Sequence, residues 1–417
     1  MTTLVSTAGA ATAGAAGLGA HYKPFEHHGM YAFFARARTQ EPVFFCPEIN
    51  YWVVTRREDI LPMLQDTARF SAEIALAPAT PLTPEALAIL KAGMGAEPTQ
   101  VNCDPPKHDR IRQVAGRFLN AKRYSGLEPD IRRLAREALD ALAGRTDVDL
   151  VADLVYEFPA RVLFLLMGIP AEDAPRIKKW ADYRLLITFG DLSPEEQRRG
   201  AEDTVAYWRY CVDLVADRLR RPKDDYASFL IAQRADVEPP LSDNEITSLV
   251  FGLLLAGHET TTNLSANALL ALLTDRESWQ AICKDPSLIP GAVEEVLRTA
   301  SSVVCWRRRT REATMVQGVT IPAGANVLLA LGSANYDETT FPEPDRFDIR
   351  RANAREHLSF GKGTHFCIGA PLARLELKVL LEEIARSCPA LTLVEGQHVE
   401  YIRTIAFRGP KRLLARL

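Results

Sequence analysis

A short glycine-rich loop that runs directly into a helix constrains this chain more than any other segment. Residues 360–369 read Phe-Gly-Lys-Gly-Thr-His-Phe-Cys-Ile-Gly, and Pro371 follows at a position typical of a first helical turn. Cys367 therefore faces unpaired backbone N–H groups and the positive end of a helix dipole, which favour a thiolate. The loop predicts a cysteine that takes part in chemistry.

Three chemistries use a thiolate in such a place. A cysteine phosphatase needs a shorter spacing to its arginine than the six residues between Cys367 and Arg374. A nucleotide-binding P-loop needs four residues between its glycines and then Lys-Ser/Thr, a pattern that is absent around Gly361 and Gly363. The economical interpretation is a single thiolate ligand to a preassembled cofactor, because haem iron accepts one protein thiolate.

Composition excludes several other classes of protein. The seven cysteines are scattered without the paired spacing of zinc or thioredoxin sites, which suggests a reducing compartment. The 50 Lys and Arg nearly balance the 53 Asp and Glu, so no global charge indicates nucleic acid or an acidic membrane surface. The longest apolar runs, residues 249–257 and 162–170, are far shorter than the ~20 residues that a membrane-spanning helix needs. We therefore expect a cytoplasmic protein that binds neither nucleic acid nor membrane.

Helical periodicity dominates from residue 57 onward, a hairpin is expected at residues 43–55, and further strand-like segments lie at residues 314–321, 326–331 and 399–407. One long helix is predicted from a capping box at Ser242 to about Thr274. Residues 71–104 and 334–359 are expected to be long loops beside the site. No repeat or linker divides residues 22–417. We expect a mainly α (α+β) fold with a single domain at 22–417, after a flexible tail at 1–21.

The cysteine loop resembles the signature of the cytochrome P-450 family, Phe-Gly-x-Gly-x-His/Arg-x-Cys-x-Gly. The matching residues are Phe360, Gly361, Gly363, His365, Cys367 and Gly369. The resemblance spans residues 22–417 and implies a cytochrome P-450-type domain that binds haem b, iron protoporphyrin IX. It implies that Cys367 is the metal ligand and that Phe360 and Gly361 lie against the cofactor.

The middle of the predicted long helix carries a second match. Residues 256–261, Ala-Gly-His-Glu-Thr-Thr, interrupt an apolar run with poor helix formers. They are similar to the family's oxygen-binding groove, Ala/Gly-Gly-x-Asp/Glu-Thr-Thr. The resemblance implies that Ala256 lies over the haem, that Thr260 hydrogen-bonds dioxygen and that Glu259 relays protons.

Haem carries two propionates, which need cations. His108 and Arg112 resemble the family's His-x-x-x-Arg helix and are four residues apart, on one helical face. His365 is a third candidate. Arg308 is favoured as the fourth, with Arg307 and Arg309 as alternatives one residue away.

Two further features follow from the resemblance. Glu295 and Arg298 resemble the buried ion pair of the family, which Arg346 is expected to complete in a structural role. Residues 107–123 carry six Lys and Arg against Asp109. With Lys362 they are expected to form a docking surface for a separate ferredoxin, of the 2Fe-2S type, that passes on electrons from NAD(P)H through a ferredoxin reductase.

The resemblance implies a bacterial-type haem-thiolate monooxygenase that inserts one oxygen atom from O2 into a C–H bond, by hydroxylation or by oxidative O- or N-dealkylation. Because the expected pocket segments at residues 71–100, 180–189 and 405–407 are mostly apolar, we expect a small to medium hydrophobic substrate of aromatic or ether type. Two alternatives stay open. They are a peroxide-driven peroxygenase, against which Glu259 and Thr260 argue, and a haem-thiolate sensor or electron carrier. No reductase segment follows Leu417, so separate redox partners are expected.

Overall fold

The computed structural model describes residues 17–417. Helices form most of this part, and the mainly α fold is confirmed. The α-helices are α1 (Met30–Gln40), α2 (Arg57–Gln65), α3 (Pro84–Gly93), α4 (Lys107–Phe118), α5 (Ala121–Gly126), α6 (Glu128–Asp140), α7 (Phe158–Met167), α8 (Ala174–Phe189), α9 (Pro194–Arg220), α10 (Tyr226–Ala232), α11 (Asp243–Ala256), α12 (Glu259–Thr274), α13 (Arg276–Lys284), α14 (Ile289–Thr299), α15 (Leu331–Ala334) and α16 (Ala370–Ser387).

Short strands lie in three small sheets. The strands are β1 (Val43–Cys46), β2 (Tyr51–Val54), β3 (Phe70–Ser71), β4 (Asp147–Asp149), β5 (Trp306–Thr310), β6 (Thr314–Val316), β7 (Val319–Ile321), β8 (Asn326–Leu329), β9 (Thr392–Leu393) and β10 (Leu414–Arg416). The largest sheet has the order β1-β2-β8-β5-β3, with β2 and β8 parallel, and the hairpin expected at residues 43–55 is present.

The segment at residues 314–321 differs from its prediction as one continuous strand. It is a hairpin of β6 and β7. Gln317 and Gly318 connect the two strands with φ of 48° and 76°. Two successive left-handed residues match the right-handed twist of a tight hairpin, so the chain reverses here.

Helix α12 occupies the centre of the main core, and nearly every face of it is buried. It packs against α7, α13, α14 and α16. The prediction of one unbroken helix to Thr274 is wrong, because α11 ends at Ala256 and α12 begins at Glu259. A Cβ at Gly257 would lie 2.7 Å from Leu163, and His258 has non-helical φ and ψ of −125° and −38°. Close packing against α7 therefore accompanies the break.

Some elements carry weak signals in the sequence. Helix α3 lies within the loop expected at residues 71–104, and α1 starts after Gly29 without a side-chain cap. Of the tail expected at residues 1–21, residues 1–16 lie outside the described part. Leu18–Ala20 form one 3-10 turn, and a Cβ on Gly19 would collide with the carbonyl oxygen of Phe45. Ordered chain therefore begins before the expected boundary at Tyr22.

Candidate active site

The cysteine loop is held in shape by its glycines and by backbone hydrogen bonds. Gly361 and Gly363 have φ of 68° and 71°, a left-handed conformation that residues with a Cβ rarely adopt. A Cβ on Gly363 would also lie 3.0 Å from the Cα of Gln65. The N–H of Cys367 donates to the carbonyl of Phe360 at 2.9 Å, and α16 begins three residues later. The loop thus closes on itself and fixes the direction of the thiol.

The environment of the Cys367 thiol combines opposing effects. Burial raises its pKa, whereas the backbone N–H groups of Gly369 and Ala370 and the charge of Arg112 lower it. The helix start thus favours a thiolate, as predicted, but burial is the larger effect and leaves the net pKa of the thiol above its ordinary value. A thiolate at this place requires a further positive group, and a metal ion supplies one.

Cys367 opens into a cavity of about 440 Å³ between the cysteine loop, α11, α12 and α8. Phe360, Gly361 and His365 line it beside the thiol, and Ala256, Glu259 and Thr260 line it from the break between α11 and α12. Most of the expected pocket segments also contribute, through Leu76, Leu185, Phe189, Leu253, Val303 and Phe407. The structure therefore brings the cysteine loop and the polar helix break to one space.

Four cationic or ionisable side chains gather beside the cysteine loop, as the sequence predicted. Arg112 and Arg308 line the cavity, and the rings of His108 and His365 lie 4.6 Å apart. Burial lowers the pKa of Arg308 to about 10, and burial followed by the charge of Arg308 lowers that of His365 to about 4. So many buried donors without matching acceptors indicate an anionic group in this space.

The geometry of strand β5 decides which of the three consecutive arginines faces the cavity. Successive side chains of a strand point to opposite faces. Arg307 donates to the carbonyl oxygens of Ala75 and Ala77, at 2.7 and 2.6 Å, and exposed Arg309 donates to Gly324. Arg308 lines the cavity.

The donors beside Cys367 fit a haem with its propionates. Arg308 Nε, His108 Nε2 and His365 Nε2 are buried without a hydrogen-bond partner in the described part of the chain. Propionate oxygens are acceptors that such donors need. The thiol, the glycines that bring backbone close to it and the unmatched donors together suit an anionic, metal-bearing cofactor.

Thr260 stands at the break between the two central helices. Its hydroxyl donates to the carbonyl of Ala256 at 3.0 Å. The side chain is half-buried and lines the cavity, as does Ala256. The break therefore presents a hydroxyl and a backbone carbonyl to the space above the cysteine loop.

Glu259 lies in a buried charged cluster that the sequence did not predict. Its carboxylate contacts the ammonium of Lys178 on α8 and lies 3.0 Å from Nε2 of His258. Burial raises the pKa of Glu259, but the charge of Lys178 and the contact with His258 outweigh it and hold the pKa well below its ordinary value. Glu259 is thus held as an anion.

Asp182 and Tyr156 extend this cluster toward the surface. The Tyr156 hydroxyl donates to Asp182 at 2.5 Å, and Asp182 is 37% exposed. Burial and the charge of Glu259 raise the pKa of Asp182. The sequence weakly indicates that Lys178 is buried, because this charged residue shares a helical face with the apolar Ala174 and Ala181 on α8.

The expected ion pair between Glu295 and Arg298 on α14 is present, but the prediction that Arg346 completes it is wrong. Glu295 and Arg298 are fully buried and joined at 2.7 Å. Arg351, not Arg346, adds the second cation at 3.2 Å from Glu295. The side chain of Arg346 is 62% exposed, and only its backbone carbonyl accepts from Arg298. The intervening turn points the Arg346 side chain outward, which sequence spacing alone does not reveal.

The expected basic surface is largely neutralised by acids from distant parts of the chain. Arg110 pairs with Glu245 and is mostly buried. Lys107, Arg117 and Arg123 pair with Glu97, Asp236 and Asp224. Exposed Lys122 and Lys362 have no carboxylate partner within residues 17–417. The candidate docking surface therefore narrows to these two lysines.

The family model described as Cytochrome P450 matches residues 213–399. Cytochrome P450 107B1 of Saccharopolyspora erythraea is 35% identical over 92% of this chain and 94% of its own length. Vitamin D(3) 25-hydroxylase of Pseudonocardia autotrophica is 36% identical, with 91% and 92% covered.

Among solved structures, the chain is similar to cytochrome P450 CREJ in complex with (4-ethylphenyl) dihydrogen phosphate. The identity is 40%, the TM-score is 0.92, and the match covers 95% of this chain and 99% of that one. Within residues 17–417, none of the helices combines the length and the apolar character that crossing a bilayer takes.

Proposed function

Because the chain belongs to the cytochrome P450 family, we propose that it inserts one atom of dioxygen into a C–H bond of an apolar, aromatic substrate. It is a P450 monooxygenase and thus an oxidoreductase. The observation that carries the finer proposal is one cavity lined both by Cys367 and by Thr260. A thiol at one wall and a hydroxyl at another suit oxygen chemistry between them.

The proposed cofactor is haem b, with Cys367 as its iron ligand. A haem bound there supplies the activation of dioxygen, with electrons that derive from NAD(P)H. His108, Arg112, Arg308 and His365 hold its propionates, and Phe360 and Gly361 lie against the ring. Arg308 Nε, His108 Nε2 and His365 Nε2 have no hydrogen-bond partner among the described residues, which supports this assignment.

Thr260 and Glu259 are the proposed groups for proton movement. The Thr260 hydroxyl already donates to Ala256, and it can turn toward a ligand in the cavity without moving the backbone. Glu259 is anionic and accepts protons from the side of Asp182 and Tyr156, where the cluster approaches solvent. The apolar walls exclude bulk water from the same space.

An alkyl-substituted aromatic compound is the proposed substrate class. Phe189, Phe251 and Phe407 line the cavity with several leucines. The relative with the solved structure holds a phenyl phosphate that carries an ethyl group. Both observations favour an aromatic ring with a short alkyl chain, whose C–H bonds are the point of attack.

The proposed electron donor is a ferredoxin, of the 2Fe-2S type, reduced by its own reductase. Exposed Lys362 lies in the cysteine loop itself, and exposed Phe366 is 36% accessible beside it. A positive charge next to an apolar tip suits a small acidic partner. Charge reversal at Lys122 or Lys362 should slow reduction in a salt-dependent way, whereas reversal of paired Arg117 serves as the control.

An optical titration of the haem-loaded protein tests the function. Alkylphenols, aromatic ethers, terpenes and fatty acids are added in turn, and the shift of the ferric haem from low to high spin is recorded. A shift from the aromatic class, with product formed from dioxygen and reductant, supports the proposal. Product from hydrogen peroxide alone indicates a peroxygenase, and a haem spectrum that no candidate alters favours a sensor or electron carrier.

A further inference from the structure

Two ionisable groups that line the cavity have neither an ion-pair partner among the described residues nor an assigned role, the carboxyl of Glu376 and the guanidinium of Arg184. Among the acidic groups, Glu97 pairs with Lys107 and Glu259 with Lys178. The third acid is Glu376, whose pKa burial raises far above its ordinary value. Among the cations, Arg112, Arg308 and His365 lie beside the cysteine loop, where the proposed propionates need them. Exposed Lys362 belongs to the proposed docking surface. Arg184 on α8 is therefore the cation of the cavity lining that has no assigned role.

Arg184 is a half-buried cation that no carboxylate contacts within residues 17–417. Its Nη1 donates to the hydroxyl of Thr188, while its Nε is shielded from solvent and has no partner within the described residues. No ion pair joins Arg184 to a carboxylate in that part of the chain, and the other charge that acts on it is the cation of Arg307. Burial lowers the pKa of Arg184 to about 10. An unpaired guanidinium in such a place is costly unless an anion binds it.

The surroundings of Arg184 place it away from the oxygen site. Its guanidinium carbon lies 5.5 Å from the ring centre of Phe251 on α11. Within α11, Phe251 precedes Ala256 by five residues, about 7.5 Å at a rise of 1.5 Å per residue, and the carbonyl of Ala256 accepts from Thr260. Apolar side chains such as Leu185, Phe189 and Leu255 line the cavity with them. Arg184, these apolar side chains and Thr260 therefore all face one cavity, with Arg184 beside Phe251 of α11 and Thr260 beyond the end of that helix.

We propose that Arg184 is a specificity-determining residue that binds an anionic group of the substrate, a carboxylate or a phosphate monoester. This inference rests on the proposed monooxygenase function and adds an anionic group to the alkyl-substituted aromatic substrate proposed there. Anchoring the anion at Arg184 leaves the opposite, alkyl end of the substrate at Thr260, so oxidation falls on the carbon farthest from the anionic group. A guanidinium forks two parallel N–H donors onto such oxygens.

Isothermal titration calorimetry on the haem-loaded protein tests the proposal with a matched series. The probes are 4-propylbenzoate, 4-propylphenyl phosphate and the neutral, isosteric 4-propylbenzamide. We expect the parent protein to bind one or both anions roughly ten-fold or more tightly than the amide, as a charge-assisted hydrogen bond implies. Which anion binds better decides between carboxylate and phosphate.

Two variants separate recognition from folding. Arg184→Gln should remove the preference for the anions and leave the affinity for the amide unchanged, which also shows an intact cavity. Arg184→Lys should retain part of the preference. The matched control is Arg176→Gln, an exposed arginine on the same helix that stacks on Trp180.

Two results would overturn the proposal. One is a parent protein that binds the amide as tightly as both anions, a measurement that needs no variant to fold. The other is an Arg184→Gln protein that keeps the preference. A parent protein without the absorption spectrum of a thiolate-ligated haem would instead contradict the proposed function, so the two failures are distinguishable.

Discussion

The ammonium of Lys178 contacts the carboxylate of Glu259, and both side chains are buried. The pair joins α8, which lines one wall of the cavity, to the first residue of α12, where the central helix resumes. The acid that we propose as a proton relay is thereby tied to a wall of the cavity. Movement of α8 on substrate binding would change the charge environment of Glu259 directly.

Removing the cation of this pair should change the pH dependence of catalysis. In Lys178→Met the largest influence that lowers the pKa of Glu259 is lost, while burial, which raises it, remains. We expect the titration step of Glu259 in product formation to move to higher pH than in the parent, where Asp182, with a pKa of about 6, is the other carboxyl of the cluster. The step should vanish in Lys178→Met with Glu259→Gln. Lys179→Met, at the exposed neighbour, is the control, and the same shift there would count against the assignment.

Replacing Thr260 by Ala should uncouple electron use from product. The variant lacks the cavity hydroxyl that donates to Ala256. We expect it to consume NAD(P)H at a comparable rate and to release hydrogen peroxide in place of product, as measured by peroxide formed per reductant oxidised. Thr262→Val changes a buried threonine of the same helix and should stay coupled. Full coupling in Thr260→Ala would refute the role of this hydroxyl.

Loss of Arg298 should strongly lower the free energy of unfolding. Arg298→Ala leaves Glu295 buried and half-paired, at an expected cost of ~3–5 kcal/mol in the free energy of unfolding. Chemical denaturation and the yield of haem-loaded protein measure this. Arg351→Ala should cost less, because Arg298 remains on Glu295. Arg346→Ala should change little, since its side chain is exposed, and a large loss there would restore Arg346 as the third member.

Acid should destabilise the protein through Glu294. Burial raises the pKa of this carboxyl, but hydrogen bonds from His357 and Arg374 outweigh it and lower the pKa to about 2. Because the folded-state pKa lies below the ordinary value of 4.5, its stabilisation is complete above about pH 4.5 and is lost as the pH falls toward 2. Arg374→Gln should shrink this dependence in urea unfolding measured across that range. An unchanged slope would contradict the assignment.

Much of the site could be predicted because its signals are local. The glycines at 361 and 363 and the helix start at α16 are fixed by backbone chemistry within a few residues of Cys367. The sequence Gly257-His258 likewise indicated an irregular helix. It did not predict that the helix ends at Ala256 and restarts at Glu259. Helix α1 was missed because it starts after Gly29 without a side-chain cap, and α3 was missed despite its cap at Thr83 because several prolines around it favoured a loop.

Sequence by itself determined the helical class, the thiol in its loop, the acid at residue 259 and the hydroxyl at residue 260, because the spacing along one segment sets each of them. Only the tertiary structure decided which charges meet. Lys178 contacts Glu259 across 81 positions, Arg351 takes the place expected for Arg346, and no carboxylate of the described chain pairs with Arg184. Electrostatic partners depend on distances in space and on shared burial, and neither quantity is encoded in the local order of residues.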